Sequence, residues 1–373
     1  MKKLASYFGK SANPFSLSKY IPRQLRDQRG DIGGTIVNPF DQDAFSMVNL
    51  CAAIDILPNN YGRVNQLGIF ANTEGITTRA AIVEEQNGVL TLLPTKPVGA
   101  PGTQNKLGKR VVRTFNVPHI PLDDTIKPAE FSGVREFGQA NELQTLVSVM
   151  NKHLQTAKNS FGITIEHLRM GALKGIILDA DGSTLYNLYT EFGITQKEIN
   201  FALTTASPLT DVQAKCRELV RHIEDNLKGE VMTEIRCLVS QEFFDAFIAH
   251  PNVEKFYLNW TAAADIAGAD PRKGFKFGGI TWEEYRGNAS DPSGTNRKFI
   301  TANEGHAFPM GTMNTFKQIY APGEFLEAVN TPGIELYAKQ AIEQMGRWVD
   351  IHIESNPLPL CCRPGVLVKV KKS

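Results

Sequence analysis

The strongest hydrophobic pattern in the chain runs from Asn141 to Gly175. Apolar residues recur at Leu143, Val147, Met150, Leu154, Ala157, Phe161, Ile165, Leu168 and Ala172. They are spaced by threes and fours, the period of an amphipathic helix. Lys152, His153, Gln155, Lys158, Glu166 and Arg169 fall between them and are expected mostly on the opposite face. At ~1.5 Å per residue such a helix is about 50 Å long, long enough to be a spine along which other elements pack. Gly162 costs about 1 kcal/mol relative to Ala in a helix, so a kink or break would fall there. A coiled coil is excluded by the stop at Gly175, after which Ile176-Ile177-Leu178 reads as a strand.

Elsewhere the periods are shorter and mixed. Residues 45–56 carry a short helical pattern that stops at Leu57-Pro58-Asn59-Asn60. Residues 63–70 and 75–84 read as strands, and Asn87-Gly88 signals a hairpin turn between IVEEQ and VLTLL. A strand over 111–117 follows. After the spine, 176–178 and 183–189 flank the turn Asp179-Ala180-Asp181-Gly182, and Thr210-Asp211 caps a helix ended by Lys228-Gly229. A strand at 235–239, helices over 240–250 and 253–268, and one glycine-interrupted strand over 275–284 come next. Short strands at 299–302, 306–309 and 317–321 precede a helix over 338–347 and strands at 349–354 and 366–370. Helices and short strands alternate without a regular βαβ order, which predicts an α+β fold.

Composition adds a constraint chiefly through local charge. The 373 residues can bury a large core in two or three lobes. A net charge of +1 argues against a surface that wholly embraces nucleic acid or an anionic membrane. Two segments depart from this balance. The first 30 residues hold Lys2, Lys3, Lys10, Lys19, Arg23, Arg26 and Arg29 against Asp27 alone, an arm suited either to nucleic acid or to plain solvation. The Pro/Gly-rich stretch 94–121 holds Lys96, Lys106, Lys109, Arg110 and Arg113, with no acid between Lys96 and Arg113. A long two-stranded excursion with such a tip has no means of burying itself, which predicts a segment either mobile or docked on another molecule. No apolar run reaches the length of a membrane span. The five cysteines, Cys51, Cys216, Cys237, Cys361 and Cys362, are odd in number and include an adjacent pair. They read as reduced thiols rather than a disulfide framework.

The search for chemistry is negative. A calcium loop starting at Asp179 would need Gly and Glu where Thr184 and Thr190 stand. Gly102 to Lys109 is one residue too long for a phosphate loop, and Arg110 replaces the required Ser or Thr. His153, His167 and His222 lack a second ligand four residues away. Asp123-Asp124 and Glu283-Glu284 are adjacent pairs whose side chains point apart in an extended chain, suited to solvent or a salt bridge.

Several longer stretches carry a resemblance. LPNNYGRVNQLGIF (57–70), LLPTKPVGAPGT (92–103), RTFNVPHIPLDD (113–124), the segment 165–194, FKFGGITWEEYRG (275–287), NEGHAFPMGT (303–312), 320–339 and SNPLPLCCRPGVL (355–367) resemble the major capsid proteins of tailed phages, in the lambda-type capsid protein E family. The resemblance covers about 45–369, and the first 40 residues look like an extension beyond it. It implies a Hong Kong 97-type capsid fold: a basic N-terminal arm (1–44), the start of a peripheral domain (45–77), an extended E-loop hairpin (78–118), the peripheral domain with the spine helix (119–209), an axial domain (210–331) and returning C-terminal strands (332–373). It implies hexamers and pentamers closing an icosahedral shell around packaged double-stranded DNA, with decoration, scaffolding and portal proteins as further partners and assembly in the bacterial cytoplasm. It implies no catalytic site, cofactor, metal or membrane. The E-loop cations Lys96, Lys106, Lys109, Arg110 and Arg113 become candidate subunit contacts, and those of the arm candidate DNA or neighbour contacts. No residue pair identifies the Lys–Asn crosslink of some relatives. An encapsulin-like compartment, or a nucleic-acid-processing hydrolase with an unrecognised site, are the alternatives.

Overall fold

The computed structural model describes residues 62–86, 110–130, 146–204, 210–267, 270 and 272–373. The arm, the helical pattern at 45–56, the Asn87-Gly88 turn and residues 141–145 of the spine lie outside them. The first described element is a helix, α1 (Arg63–Gln66), where a strand is expected. Its cause is tertiary. The carboxylate of Glu166, more than a hundred residues away, accepts from the backbone N–H groups of Val64 (2.8 Å) and Asn65 (3.2 Å), as a capping side chain does. Gly62 precedes it at φ 106°, and a Cβ there would collide with that carboxylate, so glycine is required on both counts.

The predicted strand at 75–84 is two pieces, β1 (Thr73–Gly75) and β2 (Ala80–Gln86). Next come β3 (Arg110–Asn116), β4 (Ile120–Ile126) and a 3-10 turn, Pro128–Glu130. The spine is α2 (Leu146–Lys174), one helix continuous through Gly162. It leads into β5 (Ile176–Leu178) and β6 (Thr184–Asn187), the expected hairpin, whose second strand ends early because Asn187 caps α3 (Leu188–Phe192). After β7 (Lys197–Asn200), Asp211 caps α4 (Val212–Asn226) and Ser240 caps α5 (Gln241–Ile248), on either side of β8 (Glu234–Val239). Pro251 opens α6 (Pro251–Ala267), the first turn being where its missing N–H costs nothing.

The glycine-interrupted strand is a hairpin, β9 (Lys273–Phe277) and β10 (Ile280–Glu284). Gly278 and Gly279 both have positive φ, and Phe277 pairs with Ile280, the geometry of a two-residue turn between antiparallel strands. A small hairpin, β11 (Asn288–Ser290) and β12 (Asn296–Lys298), leads to β13 (Glu304–Met310) and β14 (Phe316–Tyr320). Residues 299–302 are not a strand. The predicted helix at 338–347 is instead β15 (Tyr337–Ile342): its Ala, Lys and Gln favour a helix, yet pairing with β16 (Val349–Ser355) decides. β17 (Pro357–Cys361) and β18 (Val368–Lys371) close the chain.

The largest sheet among the described residues has six strands, β7-β18-β13-β8-β10-β9. Its core is aromatic. Trp282 is fully buried, its ring centroid 4.3 Å from that of Phe247 and its indole N–H on the Phe277 carbonyl at 3.1 Å, with Phe201, Phe243 and Phe275 around it. Two three-stranded sheets, β1-β14-β17 and β15-β16-β4, and the two-stranded ribbon β2-β3 complete the frame that places the surfaces discussed below.

The spine corrects the expected face assignment. Met150, Leu154, Ala157, Phe161, Ile165, Leu168 and Ala172 are buried as expected, but so are Lys158 and Glu166. Between 151 and 160 the helix exposes Asn151, Lys152, Thr156 and Ser160, whereas no residue from 161 to 174 is exposed. The second half carries only buried and half-buried residues, so a stripe facing an exposed side does not describe it. Lys158 sits one helical turn after Leu154, at the stripe's flank, where its aliphatic stem can lie along apolar surface. Leu154→Ala is therefore expected to cost about 2–5 kcal/mol. Lys152→Ala, rather than a change at Lys158, serves as the neutral control within about 0.5 kcal/mol. Denaturant melts of the two variants check this; equal losses would mean that Leu154 does not pack as described.

Candidate assembly surface

The β2-β3 ribbon is fixed at its root. Its inward face carries Ala81 and Phe115, both buried. Phe115 meets Tyr186 edge-on at 5.4 Å and stacks on Phe192 at 6.3 Å, while the Tyr186 hydroxyl donates to the Asn116 carbonyl at 2.8 Å. Val117 N–H donates to the Arg79 carbonyl across the two strands, and Arg79 pairs with Glu324 at 2.7 Å. The opposite face holds Ile82, Glu84, Val112 and Thr114, since directly paired residues share a face. Here Ile82 is 64% and Val112 57% exposed. A two-stranded ribbon with one uncovered apolar face is marginal in water on its own. The strand alternation was legible, but the larger side chain, Ile82, points out and the smaller Ala81 in.

Of the candidate ribbon cations, Lys96, Lys106 and Lys109 lie outside the described residues. Arg110 begins β3 opposite Gln86. Arg113 is engaged within its own chain, donating to the Glu191 carbonyl at 2.9 Å and lying 4.5 Å over the Phe192 ring. Lys2, Lys3, Lys10, Lys19, Arg23, Arg26 and Arg29 also lie outside the described residues.

The salt bridges expected of the two acidic pairs are present at Glu283, Asp123 and Asp124, but their partners were not legible in the sequence. Glu283, buried beneath α1, receives Arg63 at 2.5 and 3.1 Å and Arg236 at 2.8 Å, and Arg236 also reaches Glu234 at 2.7 Å. Both arginines and the carboxylate were visible, but nothing local brings positions 63, 236 and 283 together. Asp123 and Asp124 are likewise paired, each with a histidine from a different element.

Chemistry of other kinds is sparse. Among the described residues no group of three or more His, Cys, Asp or Glu is placed to hold a metal ion, and no helix is long and apolar enough to cross a membrane. A cleft of about 290 Å³ beside α1 is lined by Arg63, Arg272 and Arg286 with Asp270, Glu283 and Glu284, charges that already meet one another. Cys216, Cys237, Cys361 and Cys362 are free thiols. Burial raises all four, Cys216 to about 12 and Cys362 to about 11, so they stay protonated and poorly nucleophilic.

The described residues thus form mixed sheets on a long helix, with a two-stranded ribbon rooted on β6 and α3. The sequence profile of the phage major capsid protein E family matches residues 46–372, and the chain belongs to that family. It is 32% identical over 349 residues to the major capsid protein of Pseudomonas phage KPP10, covering 89% of this chain and 98% of the relative. It is 31% identical over 360 residues to the major capsid protein of Salmonella phage Felix O1 (isolate Felix O1-VT1), covering 89% and 97%. Among solved structures, one named as a prophage capsid protein of Escherichia coli CFT073 superposes with a TM-score of 0.56 at 14% identity, over 88% of this chain and 99% of that one. The fold is α+β and related to Hong Kong 97-type capsid structures.

Proposed function

We infer that this chain is the major capsid protein of a phage head: a structural subunit, not an enzyme, that self-assembles into an icosahedral shell. The family match across almost the whole chain carries the reading. The uncovered Ile82–Val112 face supports self-association, because apolar surface held out on a fixed root gains by being covered. In this reading the E-loop spans 78–118, the peripheral domain 45–77 and 119–209 with the spine, the axial domain 210–331, and the returning strands 332–373. The loop from Lys96 to Arg113 reaches an adjacent subunit of a hexamer or pentamer, where Lys96, Lys106, Lys109 and Arg110 meet carboxylates or carbonyls, while Arg113 stays on Glu191 and Phe192 of its own chain. The arm, 1–44, faces packaged double-stranded DNA through its seven cations, a contact that weakens with salt as counterions return to the phosphates. Assembly takes place in the host cytoplasm, with decoration, scaffolding and portal proteins.

Expressed full-length protein is expected to form capsomer rings or closed shells by negative-stain microscopy, and to sediment accordingly. A monodisperse monomer at micromolar concentration would overturn the reading. Binding of the arm to DNA is a separate matter: its Lys/Arg→Gln variants are expected to package DNA less stably, and an arm wholly on the outer surface would overturn that contact.

A further inference from the structure

We propose that His153 and His352 are proton-dependent latches on opposite faces of β4, which together hold the strand at the root of the ribbon against the spine and against the paired strand β16. In the chain, β4 lies between the ribbon, which ends at Asn116, and α2. Successive side chains of a strand point to opposite faces, so Asp123 and Asp124 leave β4 in opposite directions.

Asp124 faces α2, with Oδ2 2.5 Å from His153 Nδ1, and the other ring nitrogen, Nε2, is 2.9 Å from Glu130 Oε2 in the turn after β4. Asp123 faces the other side, with Oδ1 2.5 Å from His352 Nδ1, while His352 Nε2 is 3.4 Å from Glu354 Oε2. Each imidazole therefore lies between two carboxylates, one at each nitrogen. A neutral imidazole donates from one nitrogen only and turns a lone pair toward the second carboxylate; the imidazolium donates to both. The geometry of both sites is that of the charged form.

The surroundings agree. His153 meets Asp124 from β4 and Glu130 from the 3-10 turn. His352 meets Asp123 from β4, Glu354 from its own strand and the Phe325 ring at 5.7 Å. Opposite it on β15 stands Lys339, whose ammonium is held by Glu327 at 2.6 Å. Asp350, two residues back, is bonded to Thr125 and Trp348. Glu354, whose side chain is fully buried, also takes the Glu324 N–H at 2.5 Å and lies 3.9 Å from His119 Nε2. Burial opposes the charge on both imidazoles, but the hydrogen bonds and charges of their carboxylates outweigh it and raise them above the ordinary value. Burial instead lowers His167, His222, His250 and His306.

The signs follow from linkage. A raised histidine contributes its full stabilisation below the unfolded value of about 6.5 and loses it as pH rises through the folded value. The four lowered histidines act in the opposite sense, weakening the fold as pH falls. The latches must therefore be read as a difference between wild type and variant. As they open on the alkaline side, the β4–β16 backbone ladder remains while the side-chain ties of β4 to His153 on α2 and to His352 on β16 are lost. The ribbon root is then freer to change its angle.

The test uses the full-length protein at pH 6 and pH 8.5. Residues 118–130 of wild type are expected to show several-fold greater hydrogen-exchange protection at pH 6, after correction for intrinsic rates. His153→Gln with His352→Gln should remove that difference. Equal pH dependence in wild type and double variant would overturn the proposal. Should the double variant not fold, imidazole titration of wild type decides by NMR. Two resonances titrating above the ordinary value, one lowered by Asp124→Asn and the other by Asp123→Asn, support the latches; their absence overturns them.

Discussion

Changing Lys106, Lys109 and Arg110 together to glutamate is expected to leave the subunit folded, by circular dichroism, and to abolish closed shells. The ribbon root has anchors among the described residues. Phe115, Tyr186, Phe192 and the Arg79–Glu324 pair hold it. Arg113 is left out of the triple because it already binds the Glu191 carbonyl and the Phe192 ring of its own chain. Single rim pairs are worth little, about 0–1 kcal/mol. Three reversals act differently. Like charges brought together across an interface cost several kcal/mol, and the penalty repeats in every copy of a shell. Sedimentation and negative-stain microscopy at physiological salt give the answer. A triple variant that still closes would assign these charges to solvent.

Glu283→Ala carries a large expected cost within one subunit, about 3 kcal/mol, at the low end of the range for breaking a buried ion pair. The variant strands Arg236, whose side chain is 14% exposed, and releases Arg63 from two hydrogen bonds. Two features keep the loss moderate: Arg236 retains Glu234, and Arg63, with 31% of its side chain exposed, can turn to water. Exposed Arg272, paired with Asp270, is the comparison, and Arg272→Ala is expected to fall within about 0.5 kcal/mol. Urea melts of the two variants separate the cases. A Glu283→Ala loss as small as that of Arg272→Ala would mean that the triad contributes nothing net to the fold.

Elements that the sequence announces through its own neighbours were legible. The spine was read from its period, α4 from its cap at Asp211, and α5 from the stop at Pro251. Elements made by distant residues were not. α1 depends on Glu166, which lies more than a hundred positions later. β17 carries Pro357 and Pro359, residues that argue against a strand except at an edge, and β17 is an edge of its sheet. β15 has a helix-forming composition overridden by β16. The candidate surface divides in the same way. The basic stretch was visible as charge, whereas the exposed Ile82–Val112 face and the His153–Asp124 and His352–Asp123 contacts exist only once β2 and β3, α2 and β4, and β4 and β16 are brought side by side.

The uneven surroundings of α2 have a mechanical consequence. A rod clamped along half its length bends in the free half, whatever its weakest link by composition. Gly162, the position where propensity alone would place a kink, sits buried at the start of the second half, with no exposed residue from there to Lys174. The compliant stretch is the preceding one, where Asn151, Lys152, Thr156 and Ser160 look onto water. His153, in that stretch, is also the point at which β4 is tied to the helix. The root of the ribbon is thus fastened to the yielding end of the spine, so an angular change in one can be taken up by curvature in the other while the aromatic core around Trp282 stays packed.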